Sequence, residues 1–129
     1  MMGTQEEEAL ALAERFVAAI ERGDIEGVKA CYAPDAKIWH NFDNVDQAVE
    51  DNLKVLGWMS GVLENRKYNI LRRVAIPGGY LQQHVLTGRI VKTGVAFSMP
   101  ACLVVHVEDG RIKRLEEYLD VGQAAALRA

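Results

Sequence analysis

The sequence predicts an α+β fold in which N-terminal helices pack against a curved, mainly antiparallel sheet. Two observations support this fold class. Up to about residue 63, apolar residues recur every three or four positions, which is typical of amphipathic helices. From Asn65 onward, apolar and polar residues alternate, which is typical of half-buried strands. Helices followed by a run of strands indicate an α+β domain.

The helical part of the chain divides into three predicted segments. Residues 5–20 have apolar side chains at helical spacing, and Gly23 follows as a C-terminal cap. Residues 24–31 predict a short second helix whose first residue, an aspartate, caps it. After an extended piece at 36–42, a third helix is predicted over 46–63, again opened by an aspartate.

The remaining chain predicts a meander of four strands. They cover residues 65–76, 79–90, 95–107 and 111–119. Turn residues separate them, at 77–79, 92–94 and 108–110. A short helix over 121–128, capped by Asp120, ends the chain. Helices on one face of a curved sheet leave a cone-shaped pocket between the layers, and the other face is solvated or pairs with a second subunit.

Length and composition exclude several classes of protein. The 129 residues suit one domain, and 15 basic against 18 acidic residues make nucleic acid a poor partner. Cys31 and Cys102 are too few and too far apart for a disulfide framework or a thiolate zinc site. An acidic N-terminus and the lack of a long apolar run argue against a signal peptide or a membrane span. We therefore expect one cytoplasmic domain over residues 1–129, with residues 1–4 disordered, and neither a membrane partner nor a cofactor.

The order of the elements and three phrases carry a resemblance to a known superfamily. The phrases are the Gly-Asp turn at 23–24, YAPDA at 32–36 and DGRIKRLEEYLD at 109–120. With them the chain resembles the nuclear transport factor 2-like superfamily, and within it the SnoaL-like proteins. The resemblance implies a conical α+β barrel with a pocket at its open end and a homodimer through the sheet. It leaves the activity open, because the superfamily contains isomerases, hydrolases, cyclases and non-catalytic binders.

Two relatives within that superfamily suggest site positions. The proton-shuttling carboxylate of ketosteroid isomerase matches His40, and an asparagine of limonene-1,2-epoxide hydrolase matches His40 or Asn41. The charged triad of the hydrolase, an arginine and two aspartates, matches His84, Leu86 and Glu117. Only Glu117 therefore retains a charged group of the same type.

The oxyanion donors of the isomerase have no counterpart in this chain. Its tyrosine matches Phe16, and its protonated aspartate falls near Met99 or Pro100. None of these side chains donates a hydrogen bond. Neither relative's mechanism therefore transfers unchanged.

Strand alternation supports two of these candidates, His84 and Glu117, independently of the resemblance, whereas His40 rests on the resemblance. His84 shares one strand face with Gln82 and Leu86, and Glu117 lies between two leucines on one face of the last strand. A histidine and a glutamate in a dry pocket form a general acid/base pair. We therefore predict His40, His84 and Glu117 as catalytic residues. The open alternatives are a solvated edge acid for Glu117, a one-residue register slip at His84 and a loop-edge hydrogen bond for His40.

A wall of mostly apolar residues is predicted to line the pocket around these three. Asn41 and Gln82 could orient a water or a carbonyl, and core packing explains the apolar members equally well. The predicted ligand-binding residues are Phe16, Asn41, Leu56, Met59, Gln82, Leu86, Met99, Ala101, Leu103, Leu115 and Leu119.

Metal binding and nucleophilic hydrolysis have weaker support. His40, His84 and Glu117 come from separate strands with no diagnostic spacing, so we predict no metal site. His106 is expected to be exposed, and no serine lies in a nucleophile elbow.

The leading hypothesis is a cofactor-free acid/base enzyme, of isomerase, cyclase or water-adding type, acting on a small and mostly apolar molecule. The second is a non-catalytic ligand-binding or assembly module on the same fold. A third, epoxide hydrolysis, is weaker because two of the three triad positions have changed.

Overall fold

A computed structural model describes residues 3–128 of the chain. The helices are α1 (Thr4–Arg22), α2 (Ile25–Cys31), α3 (Val49–Val62) and α4 (Val121–Ala124), the last continued by a 3₁₀ turn at Ala125–Arg128. The strands are β1 (Tyr32–His40), β2 (Asp46–Ala48), β3 (Leu63–Ile76), β4 (Gly79–Ile90), β5 (Ala96–Glu108) and β6 (Arg111–Leu119).

The strands form one six-stranded sheet in the order β2-β1-β6-β5-β4-β3. Four neighbouring pairs are antiparallel, and only β1 and β6 run parallel. β1 can pair in parallel with β6 because α3 and the meander lie between them in the chain. The predicted α+β class, with a mainly antiparallel sheet and N-terminal helices, is confirmed.

α1 packs its apolar stripe on one face of the sheet, here called the inner face. Leu12, Ala13 and Phe16 of this helix are buried in the same cluster as Leu103 and Leu115 of the sheet. Each fully buried leucine or phenylalanine contributes roughly 1.5–3 kcal/mol. The cluster therefore joins the helices to the inner face, whereas the opposite, outer face carries exposed side chains such as Tyr118.

The helix ends follow the sequence signals. Gly23 adopts the left-handed conformation with φ 72°, and its N–H bonds the carbonyls of the last turn of α1. Asp24 accepts a hydrogen bond from the Gly27 N–H at 2.9 Å, and Asp120 accepts one from Gly122 at 2.8 Å. These caps satisfy backbone donors that the first turn of a helix leaves unpaired.

The prediction that a helix opens at Asp46 is wrong. Residues 46–48 form β2, which pairs with β1 so that Asp46 lies opposite Trp39, and α3 begins at Val49. The Asp46 carboxylate accepts a hydrogen bond from Arg114 Nη1 at 3.0 Å instead of capping a helix. An aspartate that could cap a helix bonds a cationic side chain instead when the fold brings one close to its carboxylate.

Both ends of the chain differ in detail from the prediction. Of the four N-terminal residues expected to be disordered, Met1 and Met2 lie outside the described residues, and Thr4 is the first residue of α1. The C-terminal helix is shorter than the predicted 121–128, because it becomes a 3₁₀ turn at Ala125. Within residues 3–128, no helix combines the length and the apolar character that a membrane span requires.

Two glycine-to-alanine substitutions test this packing in opposite directions. A Cβ at Gly79 would overlap the backbone carbonyl of Val105 on β5, whereas a Cβ at Gly57 in α3 would meet nothing within 4 Å. We expect Gly79→Ala to lower the free energy of unfolding by about 1–3 kcal/mol, because the strands must separate locally. Gly57→Ala should raise it by about 0.5–1 kcal/mol, because alanine loses less entropy in a helix. Urea unfolding measures the free energy of unfolding of both variants. If Gly79→Ala changed it by the same amount and in the same direction as Gly57→Ala, the β4–β5 register would be contradicted.

Candidate active site

His40 and Glu117 meet at the inner face of the sheet. The parallel register of β1 and β6 places them opposite one another, and His40 Nε2 lies 3.1 Å from Glu117 Oε1. Their side chains are only 12% and 19% exposed. The ring of Phe42 stacks on the imidazole at 5.1 Å between centroids. The contact is therefore shielded from most of the solvent, where an ion pair is stronger than at an open surface.

The charge of Glu117 decides the protonation of His40. Burial alone lowers the pKa of His40, but the hydrogen bond and charge of Glu117, together with the charge of Asp43, outweigh burial and raise it. A raised pKa favours the protonated imidazole beside the carboxylate, and a histidine can both hold and release a proton.

His84 lies on the same inner face, two strands away from Glu117. One row of paired residues crosses the sheet from Gln82 on β4 through Leu103 on β5 to Glu117 on β6 and His40 on β1. His84, two residues further along β4, belongs to the adjacent row on the same face and lies opposite Ala101. The three predicted catalytic residues thus occupy neighbouring rows of one sheet face.

The surroundings of His84 differ from those of His40. His84 is 1% exposed, and the Tyr68 ring tilts against it at 4.7 Å between centroids. Its Nδ1 lies 2.9 Å from Nε2 of Gln82. Burial lowers the pKa of His84, and the opposing charge of Glu117 does not reverse this. The two imidazoles of the site are therefore biased towards different protonation states.

Three further polar residues of this region were missed by the sequence analysis. The Tyr32 hydroxyl donates to Asn52 Oδ1 at 2.8 Å in the buried space beside α3. Burial raises the pKa of Tyr32 and of Tyr68, and the negative charge of Glu117 raises both further, so both phenols stay protonated. A signal existed for Asn52, because it lies three residues after Val49 and four before Leu56, on the apolar stripe of α3.

The apolar members of the predicted wall lie where core and site meet. Leu56 and Leu119 are half-buried and pack against the core cluster. The others are buried: Phe16, Met59, Leu86, Met99, Ala101, Leu103 and Leu115.

The two polar members of the wall form hydrogen bonds within the protein. The amide of Asn41 donates to the backbone carbonyl of Leu119 at 3.2 Å and accepts from its N–H at 3.1 Å, so it extends the β1–β6 pairing. An amide side chain can do this because it presents the same donor and acceptor as a peptide group. Gln82 is fully buried and is bonded on both sides, by Arg73 and by His84.

The remaining titratable candidates lie elsewhere. His106 is half exposed and lies 3.8 Å from Glu116, as expected for an edge residue. Cys31 and Cys102 are both free thiols. Among residues 3–128, no three histidine, cysteine, aspartate or glutamate side chains are grouped closely enough to hold a metal ion.

The fold is of the nuclear transport factor 2-like type, as its similarity to solved structures shows. The SnoaL-like domain family matches residues 13–115, and the chain belongs to this family. Among curated proteins, none matches it significantly.

Solved structures share the whole architecture. An LEH-like epoxide hydrolase of M. tuberculosis is 22% identical, with a TM-score of 0.77 over 95% of this chain and 90% of that one. An NTF2-like protein from Burkholderia xenovorans LB400 is also 22% identical, with a TM-score of 0.78 over 98% and 100%. A protein with a ketosteroid isomerase-like fold from Catenulispora acidiphila, bound to trimethylamine, is 14% identical, with a TM-score of 0.77 over 90% of each chain. At these identities the similarity establishes the fold alone.

The raised pKa of His40 predicts a pH-dependent contribution to stability. A group with a raised folded-state pKa stabilises the fold fully below its unfolded value of 6.5, and this contribution is lost as the pH rises through the folded value. His40→Gln should therefore cost more stability at about pH 5.5 than at about pH 8.5, by up to about 1.5–3 kcal/mol for a hydrogen bond to a charged group. Urea unfolding at both pH values measures the difference.

His106→Gln is the matched control, because that imidazole is half exposed. A larger cost of His40→Gln at alkaline pH would contradict the assigned sign.

Proposed function

We propose that this protein is a general acid/base enzyme that acts on a small, mostly apolar molecule between the helices and the inner face of the sheet. The observation that carries the proposal is the shielded contact of His40 Nε2 with Glu117 Oε1 at 3.1 Å. The reaction belongs to the isomerase, cyclase or water-adding group, and the chemistry is carried by the side chains of this chain alone.

Glu117 is the proposed base and His40 its partner. Glu117 accepts a proton from the substrate or from a water, and His40 stabilises the carboxylate before the transfer. The raised pKa of His40 supports this role, because it favours a protonated imidazole that stabilises the carboxylate and can exchange its proton. In an isomerisation the proton returns to a different atom of the substrate, so no co-reactant is consumed.

The environment of the pair supports an apolar substrate. Leu103 and Leu115 are buried neighbours of Glu117 on the inner face, and Phe16 faces this region from α1. A low-dielectric surrounding strengthens every charge interaction that develops during proton transfer. The trimethylamine bound by the Catenulispora acidiphila protein is a small molecule, which agrees with such a site.

A non-catalytic binding module is the second candidate. It is favoured by Phe16 and Met99, which are buried and apolar at the positions where the resemblance predicted oxyanion donors. Without such donors a ligand could be held but not converted, unless another donor replaces them.

The roles are tested by Glu117→Gln, with Glu116→Gln as the control. Glu116 is the next residue along β6, on the outer face, where Arg114 Nε bonds it at 2.9 Å. Hydrogen exchange into a cyclic enone in D₂O and hydration of an alkyl epoxide in ¹⁸O-water assay the two reaction types. We expect Glu117→Gln to lower kcat/KM about 10²–10⁴-fold on the active probe, and Glu116→Gln to leave it nearly unchanged.

Full turnover by Glu117→Gln would refute the assigned base. No turnover of either probe, with unchanged binding by both variants, would favour the binding module.

We also propose that the outer face pairs with a second copy of the chain. Gln83, Cys102 and Tyr118 lie side by side on this face, in paired positions of β4, β5 and β6, and Leu71 is the extra residue of the neighbouring strand β3. Leu71 and Tyr118 are exposed, and no helix among residues 3–128 covers them. A stable interface of ordinary size buries about 800 Å² on each partner, and a sheet face with apolar side chains can supply that area.

Sedimentation at micromolar concentration tests the dimer. We expect the native chain to sediment as a dimer and Cys102→Arg to dissociate it, because the side chains opposite it, Gln83 and Tyr118, carry no charge that could pair with the buried guanidinium. Ala30→Arg, on the exposed side of α2, is the control and should remain dimeric. A monomeric native chain would contradict the assignment of this face.

A further inference from the structure

Three buried or half-buried side chains form a hydrogen-bonded relay that ends at His84. Arg73 on β3 lies opposite Gln82 on β4, and Arg73 Nε donates to Gln82 Oε1 at 2.9 Å. Gln82 Nε2 lies 2.9 Å from His84 Nδ1. Gln82 and His84 are 0% and 1% exposed, so water does not compete for these bonds.

A β-bulge in β3 brings Arg73 to this position. Ile70 pairs with His84, but the register then shifts, so that Arg72 pairs with Gln83 and Arg73 with Gln82. In a regular ladder Arg72 would lie opposite Gln82. The extra residue, Leu71, therefore selects which arginine reaches the inner face, and bulges commonly re-aim a side chain in this way.

The donor and acceptor roles along the relay follow from the chemistry of each group. A guanidinium only donates, so the oxygen of the Gln82 amide must face Arg73. The NH₂ group then faces His84, and because it also only donates, Nδ1 must be the unprotonated, accepting nitrogen. A neutral imidazole carries one proton, which is then on Nε2.

The Nε2–H of His84 is buried and has no hydrogen-bond partner among residues 3–128. Burial lowers the pKa of His84, and the charge of Arg73 lowers it further against the opposing charge of Glu117, so the ring is neutral near pH 7. An unpaired buried N–H is unfavourable in a folded protein, and such groups commonly mark a binding or catalytic role.

We propose that Arg73 and Gln82 are positioning residues that hold His84 as the Nε2–H tautomer, whose free N–H binds the carbonyl oxygen of an uncharged ligand. This inference deepens the proposed function and rests on it for the identity of the site. Glu117 shares the inner face, so its negative charge disfavours a carboxylate ligand there. Tyr68 packs against the imidazole and limits its rotation. His84 thereby supplies the donor that Phe16 and Met99 cannot provide.

The tautomer is measured directly by ¹⁵N NMR of protein labelled at histidine. The chain has only three histidines, so His40→Gln and His106→Gln assign the His84 signals without altering the relay. We expect a pyrrole-type signal for Nε2 and a pyridine-type signal for Nδ1 of His84 at about pH 7. A pyrrole-type Nδ1 in the native protein would overturn the proposal.

Two variants test the relay itself. In Gln82→Glu the carboxylate can only accept, so Nδ1 of His84 should become protonated. In Arg73→Met the amide of Gln82 is free to turn over, so the two tautomers should mix. Arg72→Met is the control, because Arg72 pairs with Gln83 on the outer face and should leave the tautomer unchanged. Arg73 is only half-buried, so its variant keeps the test valid if Gln82→Glu does not fold. An unchanged tautomer in Arg73→Met would refute its positioning role.

Cyclohexanone and cyclohexanecarboxylate test the ligand class. We expect cyclohexanone to shift the His84 Nε2–H signal saturably and the carboxylate not to, with binding of the ketone weakened up to about tenfold in Arg73→Met. A stronger response to the carboxylate, or none to the ketone, would overturn the ligand assignment. Measuring the tautomer of His84 requires no turnover. This inference can therefore fail independently of the proposed function, which the effect of Glu117→Gln on activity tests.

Discussion

The parallel pairing of β1 with β6 is the constraint on which the site depends. Within residues 3–128 it is the only parallel pair of strands, and it joins a strand next to the N-terminal helices to the last strand of the meander. Its register sets His40 opposite Glu117, and the Asn41 amide extends the same pairing by two further bonds to Leu119. A shift of one residue would turn Glu117 to the outer face and remove its carboxylate from His40.

Burial and charge act on the two imidazoles of the site in opposite directions. His40 contacts Glu117, whose charge outweighs burial and raises its pKa. His84 is held through Gln82 by Arg73, and burial keeps its pKa low. One imidazole is thus suited to exchange a proton and the other to donate a hydrogen bond while staying neutral. Groups whose surroundings separate their pKa values in this way commonly divide acid, base and donor roles between them.

The predictions from the sequence succeeded where the alternation of apolar and polar residues, or a single capping residue, was enough to determine the local structure. Strand alternation correctly placed Glu117 and His84 on the inner face. The caps at Asp24 and Asp120 were also predictable, because each is a hydrogen bond from a backbone N–H only two or three residues further along the chain. The predictions failed at Asp46, because the competing partner, Arg114, is distant in the chain. Tyr32 and Arg73 were missed because their positions also depend on distant segments. Tyr32 bonds Asn52, 20 residues away, and Arg73 reaches Gln82 through a bulge in β3; local periodicity indicates neither.

The sequence by itself determined the α+β class, the positions of the main helices and strands, and which side chains share a strand face. Those properties depend on interactions among residues a few positions apart, which the periods of 3.6 and 2 describe. Only the tertiary structure decided that β1 lies beside β6, that His40 meets Glu117 at 3.1 Å, and that the Gln82 amide contacts His84 Nδ1 at 2.9 Å. These facts depend on register and burial between distant segments, which the packing of the whole chain sets.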